Sequence, residues 1–104
     1  MSLMLAMVAM AADPYALADL RAGDLTAAES KLAARLERAP SDPPALINLG
    51  AVYARTGRLT LANAAYARVL QRSDIPLAAT DGRVLSSHAI ARDGLRGQVL
   101  VASR

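Results

Sequence analysis

Apolar residues recur at helical spacing in two stretches of the chain. The first stretch carries Leu25, Ala28, Leu32 and Leu36, and the second carries Leu59, Ala62, Tyr66 and Leu70. In each stretch the positions follow the order i, i+3, i+7 and i+11, which places them on one face of an α-helix. The pattern therefore predicts two amphipathic helices, over about 25–39 and 59–72.

An acidic residue followed by proline precedes each of these two apolar stripes. Each such pair predicts where an earlier helix begins. Asp13 precedes Pro14, and Asp42 precedes Pro43. An acidic side chain can cap the free N–H groups at a helix N-terminus, and proline fits the first helical turn. Each apolar stripe is therefore expected to form the second helix of a pair.

The two helix pairs are near-copies of one unit. The phrase RAGDLT at 21–26 returns as RTGRLT at 55–60, so a shift of 34 residues aligns Gly23 with Gly57. These glycines are expected to end the first helices, because glycine readily takes the left-handed conformation that follows a helix C-terminus. A period of 34 is typical of helix-turn-helix repeats. The predicted units are 13–42 and 43–76, with first helices near 14–22 and 43–56.

Six residues of the second unit follow a spaced signature. They are Leu49, Gly50, Tyr53, Gly57, Ala62 and Tyr66, in the order L-G-x-x-Y, then G, then A-x-x-x-Y. In this respect the chain resembles the tetratricopeptide repeat family. The first unit matches less well, because Tyr15, Ala16 and Asp19 stand at the Leu, Gly and Tyr positions. The resemblance implies an all-α superhelix of two repeats whose first helices line a shallow concave groove for a peptide or partner protein.

The tail, residues 77–104, does not continue the repeat. Its Asp81-Gly82 pair is typical of a tight β-hairpin turn, although an irregular loop fits the poor alternation beside it nearly as well. Ser86 or Ser87 can then cap a last helix. The apolar side of that helix carries Ile90, Leu95, Val99 and Leu100. We expect the tail to cover the exposed edge of the second unit, as terminal elements do in repeat arrays.

The first twelve residues, MSLMLAMVAMAA, are apolar and uncharged. They end in small residues like those at an export-signal cleavage site, but the Lys or Arg that usually opens such a signal is missing. They are also too few to cross a membrane, so no integral membrane segment is expected. We predict an export signal and a periplasmic or secreted protein. The alternative is a cytoplasmic protein in which 1–12 form the apolar start of the first helix.

Composition narrows the classes of function. The chain has 104 residues, a net charge of +3 and no cysteine, which limits it to one small domain without disulfides or thiolate metal ligands. Its arginines are scattered and its three tyrosines are the sole aromatic residues, so nucleic-acid binding is not expected. A single histidine without a well-spaced carboxylate pair predicts no metal site, and no cofactor is expected.

Three polar residues are candidates for peptide binding. Arg21 and Arg55 occupy equivalent positions at the ends of the first helices. They could bind an acidic peptide or a C-terminal carboxylate by paired hydrogen bonds, or they could simply offset the helix dipole. The family resemblance implies backbone contacts for Asn48. The family's carboxylate clamp is not expected, because Asp13 and Leu17 occupy the corresponding places in the first unit.

These observations predict a non-catalytic module that binds a peptide or partner protein through Arg21, Asn48 and Arg55. The alternative is a self-associating structural subunit of an envelope or secretion assembly, a homodimer joined through the edge of the second unit. A small hydrolase built on Ser87 and His88 is less favoured. Adjacent helical residues point in different directions, and no acid at an evident spacing would orient the imidazole.

Overall fold

The computed structural model describes residues 13–79 and 82–102. This part of the chain forms a mostly helical fold with a small antiparallel sheet. The elements are α1 Leu17–Ala22, α2 Leu25–Arg38, α3 Pro43–Arg55, α4 Leu59–Leu70, β1 Pro76–Ala78, β2 Val84–Ser86 and α5 Ser87–Ala102. The expected helical character is confirmed, and the tail contains a hairpin. The predicted export signal at 1–12 and the turn residue Asp81 lie outside the described residues.

Both predicted apolar stripes pack inward. Ala28 and Leu32 of α2 are fully buried, as is Ala62 of α4, and Tyr66 is only 6% exposed. The half-buried Leu36 contacts the core side chains of both helix pairs. The apolar core therefore continues from the first unit into the second.

The predicted glycine turns are present at the ends of the first helices. Gly23 and Gly57 both have a φ angle of +77°, in the left-handed region that costs other residue types free energy. The next helix begins within two residues of each glycine. The same turn is therefore used twice, 34 residues apart.

Helix α1 begins at Leu17, three residues later than position 14, where the sequence predicted it. Ala16 has a φ angle of +57°, which interrupts any helix that starts at Pro14. The predicted cap is present but reaches across a turn, since the Asp13 carboxylate accepts hydrogen bonds from the N–H groups of Leu17 (3.1 Å) and Ala18 (3.0 Å). These bonds lower the pKa of Asp13. Ala16 is fully buried, so apolar burial offsets its backbone strain.

The second predicted capping acid acts differently. Asp42 makes no side-chain bond to the N-terminus of α3, so this expectation was wrong. Its Oδ2 instead accepts a hydrogen bond of 2.7 Å from Nε of Arg35. Pro43 does occupy the first turn of α3, as predicted. The charge of Asp42 therefore ties α2 to the start of α3.

The tail folds back onto the second unit. Helix α5 packs against α4 and α3, and Ser86 caps it, because its Oγ accepts a hydrogen bond of 3.0 Å from the N–H of Ala89. Ala91 is fully buried and Leu95 packs beside it. Of the other three predicted apolar positions, Ile90 is half-buried, and the side chains of Val99 and Leu100 lie outside the described part of the chain. Helix α5 thus packs against both helices of the second unit.

The ring of Tyr66 lies between two glycines of neighbouring helices. A Cβ atom on Gly50 of α3 would come within 2.8 Å of the ring, and one on Gly94 of α5 within 2.6 Å. Real side chains do not tolerate such distances, so both positions require glycine while the ring stays in place. Burial raises the pKa of the Tyr66 hydroxyl. Tyr66 therefore joins α3, α4 and α5 in one apolar cluster.

Candidate functional site

A groove of about 720 Å³ runs between the first helices of both units and the tail hairpin. The helical side is formed by Tyr15, Leu17, Arg21, Pro44, Ile47 and Asn48. The tail contributes strand β1 together with Ala79, Leu85 and Ile90. The hairpin therefore forms part of the groove.

Most of the groove surface is apolar. Leu17 remains 37% exposed there, and Ile47, Leu77 and Leu85 are half-buried. A cleft with apolar walls and a few polar groups is the usual form of a ligand site in proteins. The polar side chains that line this groove belong to Tyr15, Arg21 and Asn48.

Arg21 is an exposed side chain at the rim of the groove. Within residues 13–79 and 82–102 it forms no hydrogen bond or ion pair. The neighbouring cation Lys31 differs, since its Nζ lies 2.6 Å from Oδ2 of Asp19. A guanidinium that is not engaged elsewhere can bind a carboxylate through two parallel hydrogen bonds.

Asn48 already has a structural partner. Its Nδ2 donates a hydrogen bond of 3.0 Å to the main-chain oxygen of Tyr15, which ties the turn before α1 to α3. The other amide atom, Oδ1, is an acceptor and remains the atom with which Asn48 could bind a ligand. The contact with Tyr15 joins residues 33 positions apart in the sequence, so no local pattern could have revealed it.

Arg55 lies away from the groove. It is the last residue of α3, is exposed, and does not line the cleft that Arg21 and Asn48 share. It lies seven positions after Asn48 in the same helix, which corresponds to about 10 Å along the helix axis. The structure thus brings two of the three predicted site residues together and leaves the third one beyond the end of the groove.

Polar contacts that sequence reasoning missed join the two units. The guanidinium of Arg58 binds the Glu29 carboxylate through two hydrogen bonds, of 2.5 and 3.1 Å, and these bonds lower the pKa of Glu29. Arg58 also lies over the ring of Tyr53, 4.8 Å from its centroid. Since Arg58 and Glu29 belong to different units, their pair fixes one unit against the other.

Asp74 brings together the serines that precede His88. Its Oδ1 accepts hydrogen bonds from Oγ of Ser86 (2.6 Å), Oγ of Ser87 (3.2 Å) and the main-chain N–H of His88 (3.1 Å). The bond from Ser86 is the largest cause of the lowered pKa of Asp74, followed by that from His88. The fully buried Ser87 also accepts a hydrogen bond of 3.0 Å from the N–H of Ile75. This cluster anchors the hairpin to α5.

The His88 ring is hydrogen-bonded outside this cluster. Its Nε2 lies 2.6 Å from the main-chain oxygen of Arg72. A carbonyl oxygen only accepts, so Nε2 carries the proton and donates it. A hydrolase would need the ring to accept a proton from a serine hydroxyl, whereas both serine hydroxyls bind Asp74. The arrangement is that of a structural anchor.

In the described part of the chain, no three His, Asp or Glu side chains converge on a point that could hold a metal ion. No helix in these residues combines the length and the apolar character that crossing a bilayer requires.

Comparisons with protein-family models, with curated proteins and with solved structures found no match to this chain.

Proposed function

We propose that this protein is a non-catalytic module that binds a peptide segment of another protein in the groove beside α1 and α3. The observation that carries the proposal is the placement of Arg21, a cation without an ion-pair partner among the described residues, at the rim of an apolar cleft. Such a site suits a ligand that combines apolar side chains with a carboxylate. Peptides with an acidic residue or a free C-terminus have this chemistry.

The repeat pattern supports a tetratricopeptide-like scaffold for this module. Two helix pairs follow each other with the same left-handed glycine turns, at Gly23 and Gly57. The first helix of each pair lines the groove, which is the face that the family uses for its ligands. We therefore propose a two-repeat superhelix that is closed at one edge by α5.

The polar groups of the groove suggest how a peptide is held. Arg21 would bind the carboxylate of the ligand through paired hydrogen bonds. Oδ1 of Asn48 would accept a main-chain N–H of the peptide, while Nδ2 keeps its bond to Tyr15. Arg55 would contact only a peptide long enough to run past the groove along α3.

Self-association remains the second proposal. Helix α5 occupies the edge of the second unit, so a homodimer would have to use another surface. Leu61 of α4, which is 47% exposed, and Val84 of β2, which is 70% exposed, are large apolar residues that do not line the groove. A molar mass measured by light scattering at micromolar concentration distinguishes a monomeric peptide binder from a dimeric subunit.

The test of peptide binding begins with a display library of short random peptides that carry free C-terminal carboxylates. We expect the library to yield peptides with apolar residues near that carboxylate. Arg21→Ala should weaken their binding by about tenfold or more, because a hydrogen bond to a charged group contributes roughly 1.5–3 kcal/mol. Asn48→Ala and Arg55→Ala should have smaller effects.

Arg92→Ala is the matched control, since it removes the same charge from an exposed position on α5 that does not line the groove. Equal losses of peptide affinity in the Arg21 and Arg92 variants would mean that binding depends on net charge alone, and would contradict the proposal. A library that yields no binding peptide would also contradict it.

Export is proposed separately. Residues 1–12 would direct the chain to the periplasm or outside the cell. The intact mass of the protein recovered from separated cell fractions tests this. A chain that begins at Asp13 outside the cytoplasm is expected, whereas a cytoplasmic chain that retains residues 1–12 would contradict export.

A further inference from the structure

We propose that the bound peptide is extended and pairs with the free edge of β1 as a third strand of the sheet. This inference rests on the proposed function and adds a specific mode of recognition to it. It predicts which main-chain groups of the protein contact the ligand. It also predicts where the side chains of the ligand must point.

The direction of the hairpin hydrogen bonds identifies the free edge. The N–H of Ser87 donates to the oxygen of Ile75, and the N–H of Ala79 donates to the oxygen of Arg83, both at 2.8 Å. In an antiparallel pair, alternate residues face the partner strand and those between them face away. Ile75 and Ala79 face β2, so Pro76 and Ala78 direct their main-chain groups outward.

These outward groups border the groove. All residues of β1 line it, whereas the only β2 residue that does so is Leu85. The N–H and C=O of Ala78 and the C=O of Pro76 have no hydrogen-bond partner in the described part of the chain. An edge strand with unpaired groups is a template for another extended chain. Here the template belongs to a strand that borders the cleft, which Arg21 also lines.

The cleft offers side-chain contacts that suit a strand. Leu77 and Leu85 are directly opposite each other in the sheet register, so their side chains share one face. With Ile90 they form an apolar surface in the groove. Every second side chain of an added strand would point onto this surface, because side chains alternate between faces along a strand. Its carboxylate would pair with Arg21 across the groove.

Pro76 limits the possible registers, since it has no N–H to donate. The peptide residue opposite Ala78 can form two hydrogen bonds with it. The residue opposite Pro76 can donate one more to the Pro76 oxygen. An added strand therefore gains three main-chain hydrogen bonds in one register, over the roughly 10 Å that a three-residue strand spans.

The hairpin is held in place before a ligand arrives. An isolated two-stranded hairpin is marginally stable in water, and each of these strands has three residues. Asp74 and Ser87 fix both strands to the start of α5. The edge is therefore already in an extended conformation, and the peptide alone has to be ordered on binding.

The decisive experiment compares two proline variants of the hairpin, using a peptide selected from the display library. Ala78→Pro removes the outward N–H of β1, and Val84→Pro removes the outward N–H of its cross-strand partner on β2. Neither change removes a hydrogen bond within the hairpin, and proline is tolerated on edge strands. We expect Ala78→Pro to weaken binding by about tenfold and Val84→Pro to leave it within about twofold.

Amide hydrogen exchange in the unmodified protein gives an independent measurement. Exchange of the Ala78 amide should slow at least tenfold on binding, while that of the Val84 amide should not change. Unchanged exchange at Ala78 would overturn strand pairing, whatever the variants do.

The two proposals can fail separately. If Arg21→Ala weakens binding but Ala78→Pro does not, the peptide binds in the groove without joining the sheet, and this inference is wrong. If the library yields no peptide, both proposals are wrong. Weaker binding by both Arg21→Ala and Ala78→Pro but not by Val84→Pro, together with slowed exchange at Ala78, would support both.

Discussion

The two repeat units have different side chains at equivalent positions of their cores. A shift of 34 residues places Ala16 and Leu32 of the first unit at the positions of Gly50 and Tyr66 in the second. All four residues are buried. The first unit pairs a methyl group with a leucine, whereas the second pairs a glycine with an aromatic ring. Only the second arrangement extends far enough to meet α5, through Gly94.

The polar positions of the two units differ as well. Asp19 of the first unit occupies the position of Tyr53 in the second, and it pairs with Lys31. Asp24 caps α2 through a hydrogen bond of 3.1 Å to the N–H of Ala27, but its counterpart Arg58 makes no cap bond. This comparison indicates that α1 is stabilised largely by polar contacts, whereas the second unit is stabilised by apolar burial.

Removing the ring of Tyr66 should have the largest effect on stability. Tyr66→Ala leaves a cavity between three helices, and we expect a loss of about 3–5 kcal/mol in the free energy of unfolding. Tyr53→Ala is the control, because that ring is half-buried and should cost less than half as much. Chemical denaturation followed by circular dichroism measures both. Equal losses would mean that Tyr66 does not join the helices as described.

Replacing the Gly50–Tyr66 pair of the second unit by the Ala-Leu pair of the first should show that positions 50 and 66 are energetically coupled. Gly50→Ala alone should destabilise the protein by about 1–3 kcal/mol through overpacking. In a Tyr66→Leu background the same change should cost less than about 0.5 kcal/mol, because the ring that the new methyl group meets is gone. A double-mutant cycle in denaturant measures the difference. Additive effects would contradict the proposed equivalence of the Gly-Tyr and Ala-Leu pairs.

The two glycines of α5 should respond in opposite directions. Gly94→Ala places a methyl group against the Tyr66 ring, and we expect a net loss of about 1–2 kcal/mol. Gly97→Ala meets nothing within 4 Å and should stabilise the helix by up to about 1 kcal/mol. Thermal unfolding of the two variants provides the measurement. A Gly94→Ala protein as stable as the Gly97→Ala protein would refute the close approach of α5.

The smallest expected effect concerns pH. The folded state lowers the pKa of Asp74, so the unfolded chain binds a proton there more readily. The resulting stability is fully present above the unfolded pKa of about 4 and is lost as the pH falls through the lower folded value. Asp74→Asn should therefore flatten the acid limb of the stability curve. Parallel curves for the two proteins between about pH 2 and 5 would contradict the role of this carboxylate.

Local sequence patterns predicted the features that depend on near neighbours. The stripe from Leu25 to Leu36, the turn glycines and the serine cap of α5 all follow from spacing within a few residues. The late start of α1 could not be predicted, because the burial of Ala16 that offsets its strain depends on the other helices. The contact that Asp42 makes could not be predicted either, because its partner Arg35 lies in the preceding helix, seven residues earlier in the sequence.

The candidate site was predictable only in part. Arg21 could be singled out because it repeats at Arg55, but repetition does not tell which copy lies in a groove. That depends on the position of the hairpin, which interrupts the repeat period and is anchored by Asp74 to residues 12–14 positions away. Contacts of this kind arise from tertiary packing, so residue spacing alone contains no sign of them.

The shared ring of Tyr66 has a consequence for how the molecule opens. Neither α3, α4 nor α5 can separate from the others without exposing that ring, so these helices should open as one cooperative unit with the slowest amide exchange. Helix α1 has no buried residue within its six positions and can detach at a much lower free energy. One wall of the groove should therefore fluctuate on a faster timescale than the wall opposite, and ligand entry would need no global unfolding.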